Sequence, residues 1–293
     1  MAKVDALLVE YHKLRQGSAD DTGPGGPLER ARTALVLRQA RKLLEDAQAA
    51  RRPEPIWRYR LGHVLYLLFD LDGRSERLEQ AAEHLHYVSE SPAPAAVRAE
   101  ALYKLALCFA RLGRPEAESQ AYSRALALEA DPEARAVMLA NRAESYMLEG
   151  KLAAAVAGYR ASLAETPGYA LSYYGVTTLW GLAVALDRSG DLAGALEQIR
   201  LARTYDPRDG RLQSDSWFFV PDYEESWYAA LGHWQRARAA TDPASGLTAY
   251  EAAVLAWGAY LERASPDDRW LDLAAVRRRQ CELEMRRALG RAP

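Results

Sequence analysis

The sequence is short of several things, and each shortage narrows what it can be. It has two cysteines in 293 residues, Cys108 and Cys281. These are too few and too far apart for a disulfide framework or a zinc site, and both read as small buried apolar residues. It has two isoleucines and one asparagine, Asn141. Alanine and leucine dominate instead, a mixture rich in helix formers and poor in β-branched residues, so an all-α chain is expected. No run approaches the ~20 apolar residues of a membrane-spanning helix. The start, Met1-Ala2-Lys3-Val4-Asp5, lacks the apolar core of a signal peptide. A cytoplasmic protein is expected, and an exported one with its signal removed would read the same. Charge of one sign is also missing. The 38 basic and 40 acidic residues leave a net charge of -2, which argues against nucleic acid as a partner. The 49% hydrophobic content is too high for disorder.

Catalytic patterns are equally scarce. The histidines are His12, His63, His84, His86 and His233, with no HExxH pair and no acidic cluster at metal-binding spacing. Gly23–Gly26 is not followed by Gly-Lys-Ser/Thr, so it is no phosphate loop, and there is no Gly-x-Ser-x-Gly elbow. Glu224-Glu225 and Arg277-Arg278-Arg279 read as solvated helix faces. No enzyme, cofactor or metal is expected.

What the sequence does have is self-similarity. One segment runs Leu102, Leu105-Ala106, Phe109, Gly113, Ala117, Tyr122, Ala125, Pro132. The next runs Leu139, Ala143, Tyr146, Gly150, Ala155, Tyr159, Ser162, Pro167. A third runs Leu179, Leu182-Ala183, Leu186, Gly190, Ala195, Ile199, Ala202, Pro207. The glycines recur after 37 and 40 residues and the prolines after 35 and 40. Leu179, Leu182, Ala183 and Leu186 share one helical face, and Ala183 is small where a neighbouring helix must come close. Gly190 stops the first helix and Asp191 is placed to cap the second, which Pro207 ends. Such a hairpin cannot bury its own apolar stripe and must stack on another.

These segments resemble tetratricopeptide repeats. The second matches without a gap from Leu139 to Pro167, although Arg142 replaces the usual Leu. The third matches from Leu179 to Pro207. The first lacks one residue in its turn, Gly113–Ala117. Degenerate copies flank them, at Leu61-Gly62 to Pro92 and at Tyr228, Leu231-Gly232 to Pro266. The resemblance implies a right-handed superhelical solenoid of stacked antiparallel helix pairs, with about thirteen helices on the 3.6-residue periodicity. The expected divisions are 1–52 (two helices joined by a mobile Gly17–Gly26 loop), 53–94 (degenerate repeat), 95–209 (three clear repeats), 210–266 (divergent, Trp-rich repeat) and 267–293 (solvating C-terminal cap), in one continuous stack.

In such proteins the first helix of each hairpin lines a groove that commonly holds a peptide. The resemblance places Tyr59, Arg60, His63 and Tyr66 there in the upstream repeat, and Tyr103, Lys104, Leu107 and Arg111 in the first clear one. Asn141, Glu144 and Met147 follow, then Trp180, Val184, Asp187 and Arg188, then His233 and Arg236. Leu107, Glu144 and Val184 stand where the subgroup that grips chaperone C-terminal carboxylates needs polar donors, so no carboxylate clamp is expected. Aromatic anchors in a polar rim suit a protein or peptide partner. They would equally suit packing on the adjacent repeat or on N-terminal helices filling the groove. A second candidate surface is Trp217-Phe218-Phe219. It is either an exposed docking patch, for example for a second copy of the chain, or filler, with Trp227, Trp234, Trp257 and Trp270, for gaps between longer helices. The expected role is a non-catalytic scaffold or adaptor. The alternative is a structural subunit of a larger bacterial assembly in secretion, motility or the envelope, using its convex or Trp-rich side.

Overall fold

A computed structural model describes residues 1–17, 27–49, 54–214 and 221–290. The expected mobile loop, the boundary at residues 52 and 53, and Trp217-Phe218-Phe219 lie outside the described residues. Within them every regular element is helical. There are thirteen helices of seven or more residues and one of five, packed as adjacent helix pairs.

The chain forms two compact units, Met1–Ala130 and Asp131–Pro293. The first holds α1 (Ala2–Gly17), α2 (Pro27–Ala49), α3 (Pro55–Asp72), α4 (Ser75–Glu90), α5 (Ala95–Arg111) and α6 (Pro115–Leu126), packed as three hairpins. The second holds α7 (Pro132–Leu148), α8 (Leu152–Glu165), α9 (Tyr173–Arg188), α10 (Leu192–Tyr205), the short α11 (Gly210–Ser214), α12 (Glu224–Ala239), α13 (Pro243–Arg263) and α14 (Leu271–Leu289). Here α7–α8, α9–α10 and α12–α13 are the hairpins and α14 follows on α13.

Local chemistry sets the helix ends. Gly113, Gly150 and Gly190 have φ of 66°, 81° and 93°, the left-handed conformation that closes a helix. In each case the next amide reaches back to a carbonyl five residues earlier: Arg114 to Phe109 at 2.9 Å, Lys151 to Tyr146 at 2.8 Å and Asp191 to Leu186 at 2.9 Å. Asp191 then caps α10 by accepting from the Gly194 amide at 2.8 Å. Asp131 does the same for α7, with Pro132 in the first turn.

Small residues set how closely helices approach. Ala106, Ala143 and Ala183 are fully buried. A Cβ on Gly62 would stand 2.8 Å from Leu85 Cγ, and one on Gly158 2.9 Å from the Ala143 Cβ. A Cβ on Gly181 would meet the Tyr159 ring at 2.7 Å and its hydroxyl at 2.8 Å. The C-terminal tryptophans fill the wider gaps: Trp227, Trp234 and Trp257 are completely buried, and Trp227 meets Trp257 edge-on at 4.9 Å. Both cysteines are buried, and burial pushes each thiol up to about 12, so neither is a nucleophile at neutral pH.

Gly181→Ala is expected to cost about 1–3 kcal/mol, because a rigid ring stands where the methyl must go. Urea unfolding of this variant should show a lower midpoint with an unchanged slope.

Candidate inner-face site

The candidate residues fall on the first helices of the hairpins, and the two units treat them differently. In the first unit they come together. Tyr59 on α3 donates its hydroxyl to Glu100 on α5. Lys104, one turn after Glu100, is 3.7 Å from the same carboxylate. Arg60 pairs with Asp5 on α1 at 3.0 Å, and Arg111 pairs with Asp70 on α3 at 3.6 Å while also reaching the Tyr66 hydroxyl. Tyr66, Tyr103 and Leu107 are half-buried on the same two helices, and Tyr103 leans on Tyr122 of α6 with ring centroids 6.0 Å apart. Tyr59 itself is enclosed.

His63 sits at the centre. Its pKa falls to about 3, first because of burial and then because Lys104, His12 and Arg60 add positive charge. The ring is neutral at any ordinary pH. Its Nδ1 is buried and meets no hydrogen-bond partner among the described residues. Burial also lowers the Lys104 pKa, with Glu100 opposing the shift.

In the second unit the same positions are covered. All of α9 from Gly175 to Arg188 is buried. Trp180 and Val184 belong to the core, as does Met147 on α7. The Trp180 ring stands 3.0 Å from where a Gly232 Cβ on α12 would be, and the Arg203 guanidinium lies 5.5 Å from the ring centroid. Asn141 and Glu144 remain half-buried on α7.

What covers α9 is a buried ionic network. Arg188 Nη2 donates to both Glu224 oxygens, at 2.8 and 2.6 Å, and its guanidinium lies 4.5 Å from the Trp227 ring and 4.9 Å from Trp270. Asp187 accepts from Trp227 Nε1 at 3.1 Å and from Arg277 Nε on α14 at 2.6 Å. Arg277 also binds the Asp187 main-chain carbonyl at 3.1 Å. Glu224 and Arg277 therefore do not stand on solvated faces as the sequence suggests. Each is held inside by an opposite charge, because a charge leaves water only where a partner compensates it. Further along, Arg236 joins Arg203 on Asp209, a buried non-glycine residue at φ 55°. Asp209 thereby ties α10 to α12.

Glu144 is the exception in this network, since no hydrogen-bond donor among the described residues reaches it. Burial, then the Glu224 carboxylate, raises its pKa from an ordinary 4.5 to about 8. Among the described residues no group of three His, Cys, Asp or Glu side chains could hold a metal ion. Among the described residues no helix is long and apolar enough to cross a membrane.

No family model and no curated protein matches the sequence. Solved structures do resemble it. The C-terminal part of a TPR repeat-containing protein from Cytophaga hutchinsonii aligns with a TM-score of 0.50 at 12% identity, over 81% of this chain and 94% of that one. BtubC (BKLC) from P. vanneervenii aligns with a TM-score of 0.49 at 16% identity, over 92% and 95%. YrrB, described as a TPR protein with an unusual peptide-binding site, aligns with a TM-score of 0.49 at 15% identity, over 69% and 95%. At these identities the likeness concerns the fold, which is the tetratricopeptide-repeat arrangement of stacked helix pairs.

The raised pKa of Glu144 has a stability consequence. Between about 4.5 and 8 the folded state holds a proton that the unfolded chain has lost, so stability falls as pH rises through that window. Glu144→Gln should raise Tm at pH 8, leave it unchanged at pH 4, and flatten the slope between. Thermal melts across pH check this.

Proposed function

We propose that this chain is a non-catalytic interaction scaffold that takes a protein or peptide segment on the first-helix face of its amino-terminal unit. The observation that carries the reading is the tie between α3 and α5 through Tyr59–Glu100 and Arg111–Asp70, with His63 and Lys104 close enough to interact and Tyr66, Tyr103 and Leu107 on the same two helices. The last five of these residues stay half-buried among paired charges. A half-buried aromatic and aliphatic set inside a polar rim is the usual anatomy of a binding surface. The helices that present it are held by their own hairpins, so little ordering entropy is lost when a segment docks. Within the second unit, Asn141 and Glu144 on α7 are candidate residues that stay half-buried. Trp180, Val184, Met147 and Arg188 are buried there.

The alternative of a structural subunit docking through its tryptophans draws less support. Trp227, Trp234 and Trp257 have no surface to offer, and Trp217-Phe218-Phe219 lie outside the described residues.

The test separates face from core. Affinity purification of the full chain, followed by mass spectrometry, should yield a bound protein that Tyr103→Ala or Leu107→Glu loses while helicity and Tm hold. Trp180→Ala should instead lower stability by about 3–5 kcal/mol, since it empties a buried site. Equal recovery of every co-purifying protein by wild type and both face variants would overturn the reading.

A further inference from the structure

The chemistry of the proposed partner can be narrowed, on the reading that the amino-terminal unit is where it docks. Each cation on that face already has its counter-charge within reach. Arg60 has Asp5 at 3.0 Å, Lys104 has Glu100 at 3.7 Å, and Arg111 has Asp70 at 3.6 Å. Among the described residues, an acidic segment would find no uncompensated cation in this set, and a basic one no uncompensated carboxylate. Either would have to break an existing pair and desolvate its own charge. What the face leaves to offer is the half-buried surface of Tyr66, Tyr103 and Leu107 and the imidazole of His63.

That imidazole has a defined polarity. Its Nδ1 is enclosed and unpartnered. A buried N–H with no acceptor is rarer than a buried bare lone pair, so the hydrogen is assigned to Nε2. The nitrogen left to meet a ligand is then an uncharged donor, suited to a peptide carbonyl. We propose that this face selects a peptide segment without charged side chains, held by Tyr66, Tyr103 and Leu107 and by one hydrogen bond from His63.

The test is peptide phage display on the immobilised full-length chain, with Leu107→Glu as the counter-selection. Peptides enriched on wild type and lost on the variant report the face. They should be rich in apolar and small polar residues and near zero in net charge. Synthetic copies should bind with a Kd that changes less than about twofold between low and high salt, where a charge-driven contact would weaken steeply. His63→Leu should weaken them several-fold, up to about tenfold, the range of one hydrogen bond, while His63→Gln, which keeps a donor, should restore most of it. A conserved Asp, Glu, Lys or Arg in the enriched peptides, a steep salt dependence, or equal binding by His63→Leu would each overturn the proposal while leaving the docking face intact. Enrichment that Leu107→Glu does not alter would overturn the docking face itself, and this proposal with it.

Discussion

Everything in this molecule follows from helices that must touch at positions where one of them has almost no side chain. A hairpin of two amphipathic helices leaves an apolar stripe in water, and only a second hairpin can cover it. Close approach is needed within a hairpin, where Gly62 meets Leu85 and Gly158 meets Ala143, and between hairpins, where Gly181 receives Tyr159, while Ala106 and Ala183 are fully buried. At Gly181 the partner is the edge of the Tyr159 ring. Elsewhere large residues pack on one another, as where Trp227 meets Trp257 edge-on. The abundance of alanine is thus partly a set of contact positions and not just helix propensity.

Those contact positions repeat, and that is why so much was legible in the sequence. The turn glycines, Asp191 capping the helix after its turn and the small residues before each aromatic are local signals, set by neighbours a few residues away. Each is found where the repeat places it. The degree of cover on each face was not legible, because it depends on residues far along the chain. Arg277 reaches Asp187 across 90 residues, and Glu224 reaches Arg188 across 36. In isolation Glu224-Glu225 and Arg277–Arg279 look like any charged stretch of a surface helix. One signal did exist. Val176, Leu179, Trp180, Leu182, Val184 and Leu186 are not confined to one stripe, and a helix that is apolar all round is a buried one. That pattern distinguishes α9 from α5, whose Lys104, Arg111 and Glu100 break the apolar surface.

The two units therefore use charge for opposite ends. In the first, the ion pairs lie at the surface: side-chain exposure is 30% and 42% for Arg60 and Asp5, and 25% for both Arg111 and Asp70. Such pairs contribute little each, about 0–1 kcal/mol, and can be rearranged at small cost when something docks. In the second, Arg188 and Asp187 are wholly enclosed and their partners Glu224 and Arg277 nearly so, at 6% and 7%. Removing one member of a pair like that strands a buried charge, typically at 3–5 kcal/mol. A surface that must accept a partner cannot be built from the second kind of pair. The first kind can neutralise the face, keep it soluble and still yield.

If the half-exposed face docks a segment as proposed, this difference also sets what it would discriminate. With its charges answered from within, its selectivity falls to shape, to apolar area and to the few polar atoms that remain unanswered. His63 is the most constrained of these, because burial and its cationic neighbours hold it neutral far below the pH at which a histidine ordinarily titrates. A neutral donor set among closed ion pairs rewards a neutral acceptor. It offers a charged side chain nothing that the chain has not already supplied to itself.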